Sequence, residues 1–399
     1  MNTTALKRYK PMKIVLVSPF TPPLVGGLEN ICALLAAGLR DSGHEVLIVG
    51  QFAAARHSLW QRFVRRERAR TFLYRGLPVS ILRPKWPGGG GAYALLWQAW
   101  SRPAAVWFLK HWFGQRVSEA CAGADIVHYL GTGTDTLGFA TAAAARTAGA
   151  LFCVQPAIHA GIWGDRPLDA ELYSGADGLL AFSAVEEGIL RGLGVASGRI
   201  HRVAGSVGWE GSSSAGRFRA RYGIKGPLVL FLGRKTADKG VDRLLAAWPE
   251  IRRNAPAATL VFMGPAADRG MIPATPGVVD IADASEQEKH DALEACDLLC
   301  VPSVGESLGL AYLEAGLHGK PVVGLDLPAL RETISEAGGG LLVAPDPAAI
   351  AAAIIRLLGD ADLRATMGRC GRQMAQRHTV TASRDSYTTA YARMLAHRE

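Results

Sequence analysis

Two glutamates, Glu306 and Glu314, stand eight residues apart in VPSVGESLGLAYLEAGLHGKPVV, one of the most apolar stretches of the chain. Charged side chains are seldom fully buried unless something pairs with them. The pair is therefore either a surface charge at each end of a turn or a set of ligand groups. Leu298–Val301 reads as a strand, Pro302–Glu306 as a loop and Leu308–His318 as a helix, with Ser307 at the N-cap position. The amides of Leu308, Gly309 and Leu310 would then lie free at the positive end of the helix dipole, a ready place for an anion, and Gly309 would let a phosphate approach the backbone. A helical path puts the carboxylates ~12 Å apart, far enough to reach two parts of one extended ligand.

Other residues could serve the same ligand. In FLGRKTADKGVDRLLAAW, Arg234 and Lys239 precede a helix. Cations there oppose the helix dipole, so an anionic ligand explains them better than a solvated surface does. In SPFTPPLVGGLE, Gly26 and Gly27 allow close backbone approach, although a Gly-Gly pair can also be a simple turn. Two histidines close predicted strands in the first half: His128 in DIVHYLGTGT and His159 in QPAIHAGIW.

These residues need a frame. At 399 residues the chain exceeds what one core supports, so two domains of about 200 residues are expected. Short apolar runs at Lys13–Ser18, Glu45–Gly50, Asp125–His128, Leu151–Val154, Gly178–Phe182 and Ile200–Val203 read as buried parallel strands separated by helices. After a small, polar linker, Gly208–Gly216, a second series follows at Pro227–Gly233, Ala258–Met263, Val278–Ile281, Leu298–Val301, Pro321–Gly324 and Gly340–Val343. The expected fold is α/β: two Rossmann-like halves with a site in the cleft between them. The expected boundaries are 1–207, 208–380 and a final segment 381–399, whose helix Ala382–Ala396 crosses back to the first domain.

The formal charge of +9 points to anionic partners. The six cysteines are scattered among apolar neighbours and read as reduced, buried thiols. The N-terminus MNTTALKRYK has no apolar core, and no window offers the ~20 apolar residues of a membrane span, so a cytoplasmic location is expected. One region breaks the α/β rhythm. Arg56–Arg75 interleaves arginines with Leu59, Trp60, Phe63, Val64, Phe72 and Leu73, and Gly88–Gly91 and a tryptophan-rich stretch with Trp97, Trp100, Trp107 and Trp112 follow. A basic amphipathic helix with aromatics suits an anionic membrane interface; a solvated basic face over ordinary core residues is the alternative.

GESLGLAYLEAGLHGKPVV resembles the E-x7-E signature of retaining glycosyltransferases of the GT-B fold, glycosyltransferase family 4. FLGRKTADKGVDRLLAAW resembles that family's G-R-x4-K-G-V-D segment, and SPFTPPLVGGLE its Gly-Gly loop. The resemblance implies that Glu306 faces the donor sugar, Ser307, Leu308, Gly309 and Leu310 grip the diphosphate, and Glu314 holds the ribose. Arg234 and Lys239 would neutralise the leaving group where other enzymes use a metal. Gly26 and Gly27 would approach donor and acceptor. His128 matches the family's D-x-x-H histidine as a catalytic residue, but Leu130 stands where a second histidine is common. His159 is assigned to the acceptor side.

The implied activity is metal-independent transfer, without a cofactor, of a sugar from a nucleoside-diphosphate donor to a glycan, lipid-linked or small-molecule acceptor, in bacterial cell-surface polysaccharide or glycolipid synthesis. An anionic membrane surface through Arg56–Arg75, at the inner face of the cell membrane, is the implied peripheral partner; nucleic acid is not. An inert GT-B protein acting as a basic membrane- or nucleic-acid-binding module is the alternative from another class. A dinucleotide oxidoreductase is disfavoured because no G-x-G-x-x-G follows the first strand.

Overall fold

The computed structural model describes residues 10–24, 26–86, 102–265 and 272–398. The first half holds β1 (Lys13–Phe20), β2 (Glu45–Phe52), β3 (Arg70–Tyr74), β4 (Leu77–Ile81), β5 (Ile126–Leu130), β6 (Leu151–Gln155), β7 (Gly178–Ala181) and β8 (Ile200–Arg202). They form one sheet in the order β3-β4-β2-β1-β5-β6-β7-β8. Every neighbouring pair is parallel except β3 and β4. The second half holds β9 (Leu228–Leu232), β10 (Thr259–Met263), β11 (Val278–Ile281), β12 (Leu298–Val301), β13 (Val322–Leu325) and β14 (Gly340–Val343). These form an all-parallel sheet ordered β11-β10-β9-β12-β13-β14.

Parallel strands have helices on both faces, which is why the central ones are apolar runs without alternation. All five residues of β5, β6 and β9 are buried. Two apolar clusters cover the two faces of the first sheet, and a third surrounds the second sheet. One of the first-half clusters also takes in Leu308, Leu313 and Met374 from the second half. The halves therefore meet through continuous apolar packing.

The last helix, Val380–Ala396, returns to the first half as expected. Its Tyr387 and Tyr391 are fully buried, and a Cβ added at Gly38 of helix Gly27–Asp41 would lie 3.3 Å from Arg384 Cβ. Val207 and Thr379 form an isolated parallel bridge, so the two chain crossings between the halves run side by side. The linker is not a free tether. Trp209 stacks on His290 at 4.3 Å, and Ser214 caps helix Ala215–Tyr222 while its amide donates to Asp291.

The basic region departs most from expectation. Arg56–Arg75 is not one amphipathic helix: it is a six-residue helix, Leu59–Val64, an extended stretch and then β3. Arg56 and Arg62 turn inward over the Phe20 ring, at 4.9 and 4.6 Å from its centroid. Trp112 is 1% exposed and stacks on Phe63, so it belongs to the core. Trp60, Val64, Leu73 and Trp107 are exposed, as are Arg65, Arg66 and Arg68. Gly88–Gly91, Trp97 and Trp100 lie outside the described residues.

Candidate functional site

In the second sheet the strand order reverses between β9 and β12, and in doubly wound folds ligands bind outside the carboxyl ends of the strands at that switch. Arg234 and Lys239 follow β9, and Glu306 follows β12. Lys239 ends a short 3-10 turn whose next residue, Gly240, has φ of 80°. A Cβ there would run into the Pro302 carbonyl, so glycine lets the two loops close on each other. The result is an ion pair, Lys239 Nζ to Glu306 Oε1 at 2.6 Å, with both side chains largely buried. Glu314 has its own lysine: Lys289 Nζ lies 2.8 Å from Glu314 Oε1 and 3.0 Å from Glu286 Oε2. Burial works against the Lys289 charge, but the two carboxylates outweigh it and raise its pKa. Neither Glu306 nor Glu314 is a solvated surface charge.

The helix between the glutamates differs from expectation. It spans Leu310–Leu317, and its N-cap is Gly309 in the left-handed region (φ 77°), not Ser307. A Cβ at Gly309 would meet Tyr312 Cδ2 at 2.5 Å, so the glycine answers a local backbone need. Ser307 remains in the preceding loop. Leu308 is 2% exposed and packs towards Gly205 of the first half, so its side chain belongs to the interface between the halves.

The first half forms the facing wall. Gly26 precedes helix Gly27–Asp41, and a Cβ on it would overlap Arg56 Nη2 and Glu29 Oε2; Arg56 Nη2 is ion-paired with the other oxygen of the buried Glu29, Oε1. Gly27 sits across the cleft from Leu310, 3.7 Å from its Cδ1 by the same measure. Arg234 makes no ion pair among the described residues and lies near enough to Arg56 and His159 to act on both electrostatically. His159 is drawn into the same group. A Cβ at Gly305 would lie 3.4 Å from His159 Nδ1 and 2.5 Å from Ile162 Cδ1. Burial, and then the Lys239 charge, lower the His159 pKa to about 3. His159 thus sits against the loop that carries Glu306, within electrostatic reach of Lys239 and Arg234.

His128 lies apart from these residues. It lies within β5, fully buried, with Nδ1 2.8 Å from the Tyr391 hydroxyl of the returning helix. The ring packs against Tyr387 and Tyr391, while its Nε2 is buried without a hydrogen-bond partner among the described residues. In this structure it joins sheet to helix, away from the Lys239–Glu306 pair. Leu130 is likewise buried at the end of the same strand.

Residues 226–360 match the family model for glycosyl transferases group 1, and residues 26–205 match that for the glycosyl transferase 4-like domain. Each half is thus similar to a glycosyltransferase domain. A D-inositol 3-phosphate glycosyltransferase of Salinispora arenicola is 34% identical over 186 residues, covering 42% of this chain and 41% of its own. A phosphatidyl-myo-inositol mannosyltransferase of Mycobacterium leprae is 32% identical over 190 residues, covering 45% and 50%. The chain thus spans half or less of the length of these two curated relatives. The crystal structure of Anabaena HepE in complex with UDP and glucose superposes with a TM-score of 0.73 at 17% identity, over 96% of this chain and 99% of that one. The fold is GT-B.

Within the two halves, sequence reasoning missed four charged residues: Glu29, Arg56, Lys289 and Glu186. Glu29 follows the Gly-Gly pair by two positions and is 2% exposed. Its partner, Arg56, was hidden in an arginine-rich run read as surface. Lys289 gave a faint signal, three residues after Glu286, a spacing that brings the two together on helix Glu286–Ala295. Glu186 lies in a stretch, AVEEGILRG, that reads as an ordinary amphipathic helix.

Proposed function

We propose that the chain is a retaining, metal-independent glycosyltransferase that moves a sugar from a nucleoside-diphosphate donor to a glycan or lipid-linked acceptor. The observation that carries this reading is the convergence of Arg234, Lys239 and Glu306 at the β9/β12 switch point, with Lys289 and Glu314 further along the same edge. Fixed cations suit a reaction in which negative charge builds on a departing phosphate, since they need no reorganisation as it forms. The C1–O bond to the β-phosphate breaks and a C1–O bond to the acceptor forms on the same face. The acceptor's proton passes to the leaving phosphate. Lys239 and Arg234 hold that phosphate; Glu306 orients the sugar and Glu314 the ribose. His159, neutral at physiological pH, is free to hydrogen-bond a sugar hydroxyl beside Glu306. The relatives that act on inositol phosphate and phosphatidylinositol support an acceptor with a polar, phosphate-bearing head.

The test is donor turnover with UDP-, GDP- and ADP-sugars, with and without EDTA, and nucleoside-diphosphate binding by calorimetry. Lys239→Ala and Glu306→Ala should each lower turnover at least ~100-fold, the size expected for losing a fixed transition-state contact. A chain that binds no nucleoside diphosphate would sink the proposal, and activity lost on EDTA treatment would remove its metal-independent part.

A further inference from the structure

We infer that Glu186 is a positioning residue, holding the His159 loop against the Glu306 loop and acting on the reaction only through His159. This inference rests on the function proposed above. The loop of residues 156–165 leaves the end of β6, and its tip carries His159 and Ile162 to Gly305 in the other half. The path begins with a strained step: Ala157, not a glycine, has φ of 48°. Such a conformation is costly for a residue with a side chain and persists only where its surroundings over-determine it.

Glu186 is prominent in those surroundings. It lies in the first turn of helix Ala184–Gly192 and is 2% exposed. One carboxylate oxygen accepts the Phe182 amide at 2.7 Å; the other reaches a separate segment and accepts the Ile158 amide at 2.7 Å. That second bond falls between the strained Ala157 and His159. Capping the helix does not require it, because Ser183 Oγ already accepts the Glu186 amide. A buried carboxylate is costly, and this one bridges the catalytic-side loop to a rigid helix. The rest of the loop is braced around it. Trp163 Nε1 donates to the Ala157 carbonyl at 3.2 Å, His159 and Trp163 exchange backbone hydrogen bonds, and Tyr173 donates to the Gly164 carbonyl at 3.1 Å. The His159 ring stacks on Trp163 at 3.9 Å.

The charged and titratable groups that face Glu186 are Arg202 from β8, Tyr173 from helix Pro167–Ser174 and Tyr387 from the returning helix. Burial pushes the Glu186 pKa up to about 7, against the two amides and Arg202, which favour its charged form. Only the ionised carboxylate offers both oxygens as plain acceptors to the two amides. His159 is therefore held best above neutral pH.

Glu186→Gln keeps the shape but replaces one acceptor oxygen with an NH2 facing an amide. Two readouts decide the inference. Hydrogen exchange over residues 156–165 should rise by roughly tenfold or more in the variant. In turnover, kcat should fall ~10- to 100-fold while nucleoside-diphosphate Kd stays within about twofold, and the rise of kcat through about pH 7 in the natural chain should disappear. Unchanged exchange over 156–165 overturns the inference whether or not the chain turns over. In an active enzyme, an unaltered kcat and pH profile also overturns it. Natural chain without turnover would sink the proposed function instead, leaving exchange to decide this point. Should Glu186→Gln fail to fold, Glu186→Asp, which keeps both oxygens on a shorter arm, should show an intermediate rise in loop exchange. Exchange no faster than in the natural chain would again overturn the inference.

Discussion

At the residue scale the β9/β12 edge is an arrangement of paired charges, with Arg234 unpaired among the described residues. Lys239 is committed to Glu306 and Lys289 to Glu314. Breaking a largely buried pair by removing one member leaves an uncompensated charge, so such substitutions act on more than one group. Gly26 offers a cleaner probe of the facing wall. Its backbone is extended, so alanine is conformationally allowed, but the new methyl group would occupy the space of the Arg56–Glu29 contact. Gly26→Ala should displace Arg56 and weaken nucleoside-diphosphate binding about 10-fold by calorimetry, the scale of one lost charge-assisted hydrogen bond. Its unfolding temperature should change by only a few degrees. Affinity equal to that of the natural chain would show that Arg56 does not serve the donor.

At the scale of elements, the join between β5 and the returning helix is where a titratable residue is spent on architecture. Burial lowers the His128 pKa to about 3, below the ordinary value near 6.5 of the unfolded chain. The unfolded chain thus binds this proton first as pH falls. The neutral ring weighs nothing against the fold above about pH 6.5, and stability is lost progressively below it, by about 2 kcal/mol at pH 5. His159 and His290, each lowered to about 3, and His378, lowered to about 4, act with the same sign. Chemical denaturation should therefore show stability falling between pH 6.5 and 5. Tyr391→Phe removes the hydroxyl that meets His128 Nδ1 and should cost about 1 kcal/mol while leaving turnover unchanged. A large loss of kcat in that variant would place His128 in the catalytic set.

At the scale of the whole molecule, the two halves are held by apolar packing more than by charge. Glu332 of the second half accepts the Ala184 amide at 3.2 Å and pairs with Arg202 at 2.5 Å. Both members of that pair are well exposed, and such pairs contribute ~0–1 kcal/mol. Leu308 and Leu313, by contrast, are 2% exposed within a first-half cluster. Basic and apolar side chains remain exposed on the first half: Arg65, Arg66 and Arg68, with Trp60, Val64 and Leu73. Among the described residues no helix is long and apolar enough to cross a membrane. If these side chains bring a lipid-linked acceptor to the cleft, the protein should co-sediment with anionic vesicles. Neutralising Arg65, Arg66, Arg68 and Arg70 should lower that binding at least ~10-fold, at about 1 kcal/mol per cation. Unchanged binding would remove these side chains from the account.

What the sequence determined by itself was whatever depends on local order: alternating strands and helices, two sheets, and the motifs after β9 and β12. Parallel strands read plainly because burial on both faces makes them short apolar runs, and Glu306, Glu314, Arg234 and Lys239 stood out because charge in such surroundings needs a reason. The β3–β4 hairpin escaped because its residues, RTFLY and LPVSI, lie beside arginines that suggested a helix. Only the tertiary structure decided which lysine meets which glutamate, that His128 faces a helix 263 residues later in the chain, and that Arg56 turns inward to Glu29. It also decided that Glu186 reaches Ile158. Each of these is a contact between segments far apart in the chain. Their distance is set by sheet order and by the docking of the two halves, which no local spacing encodes.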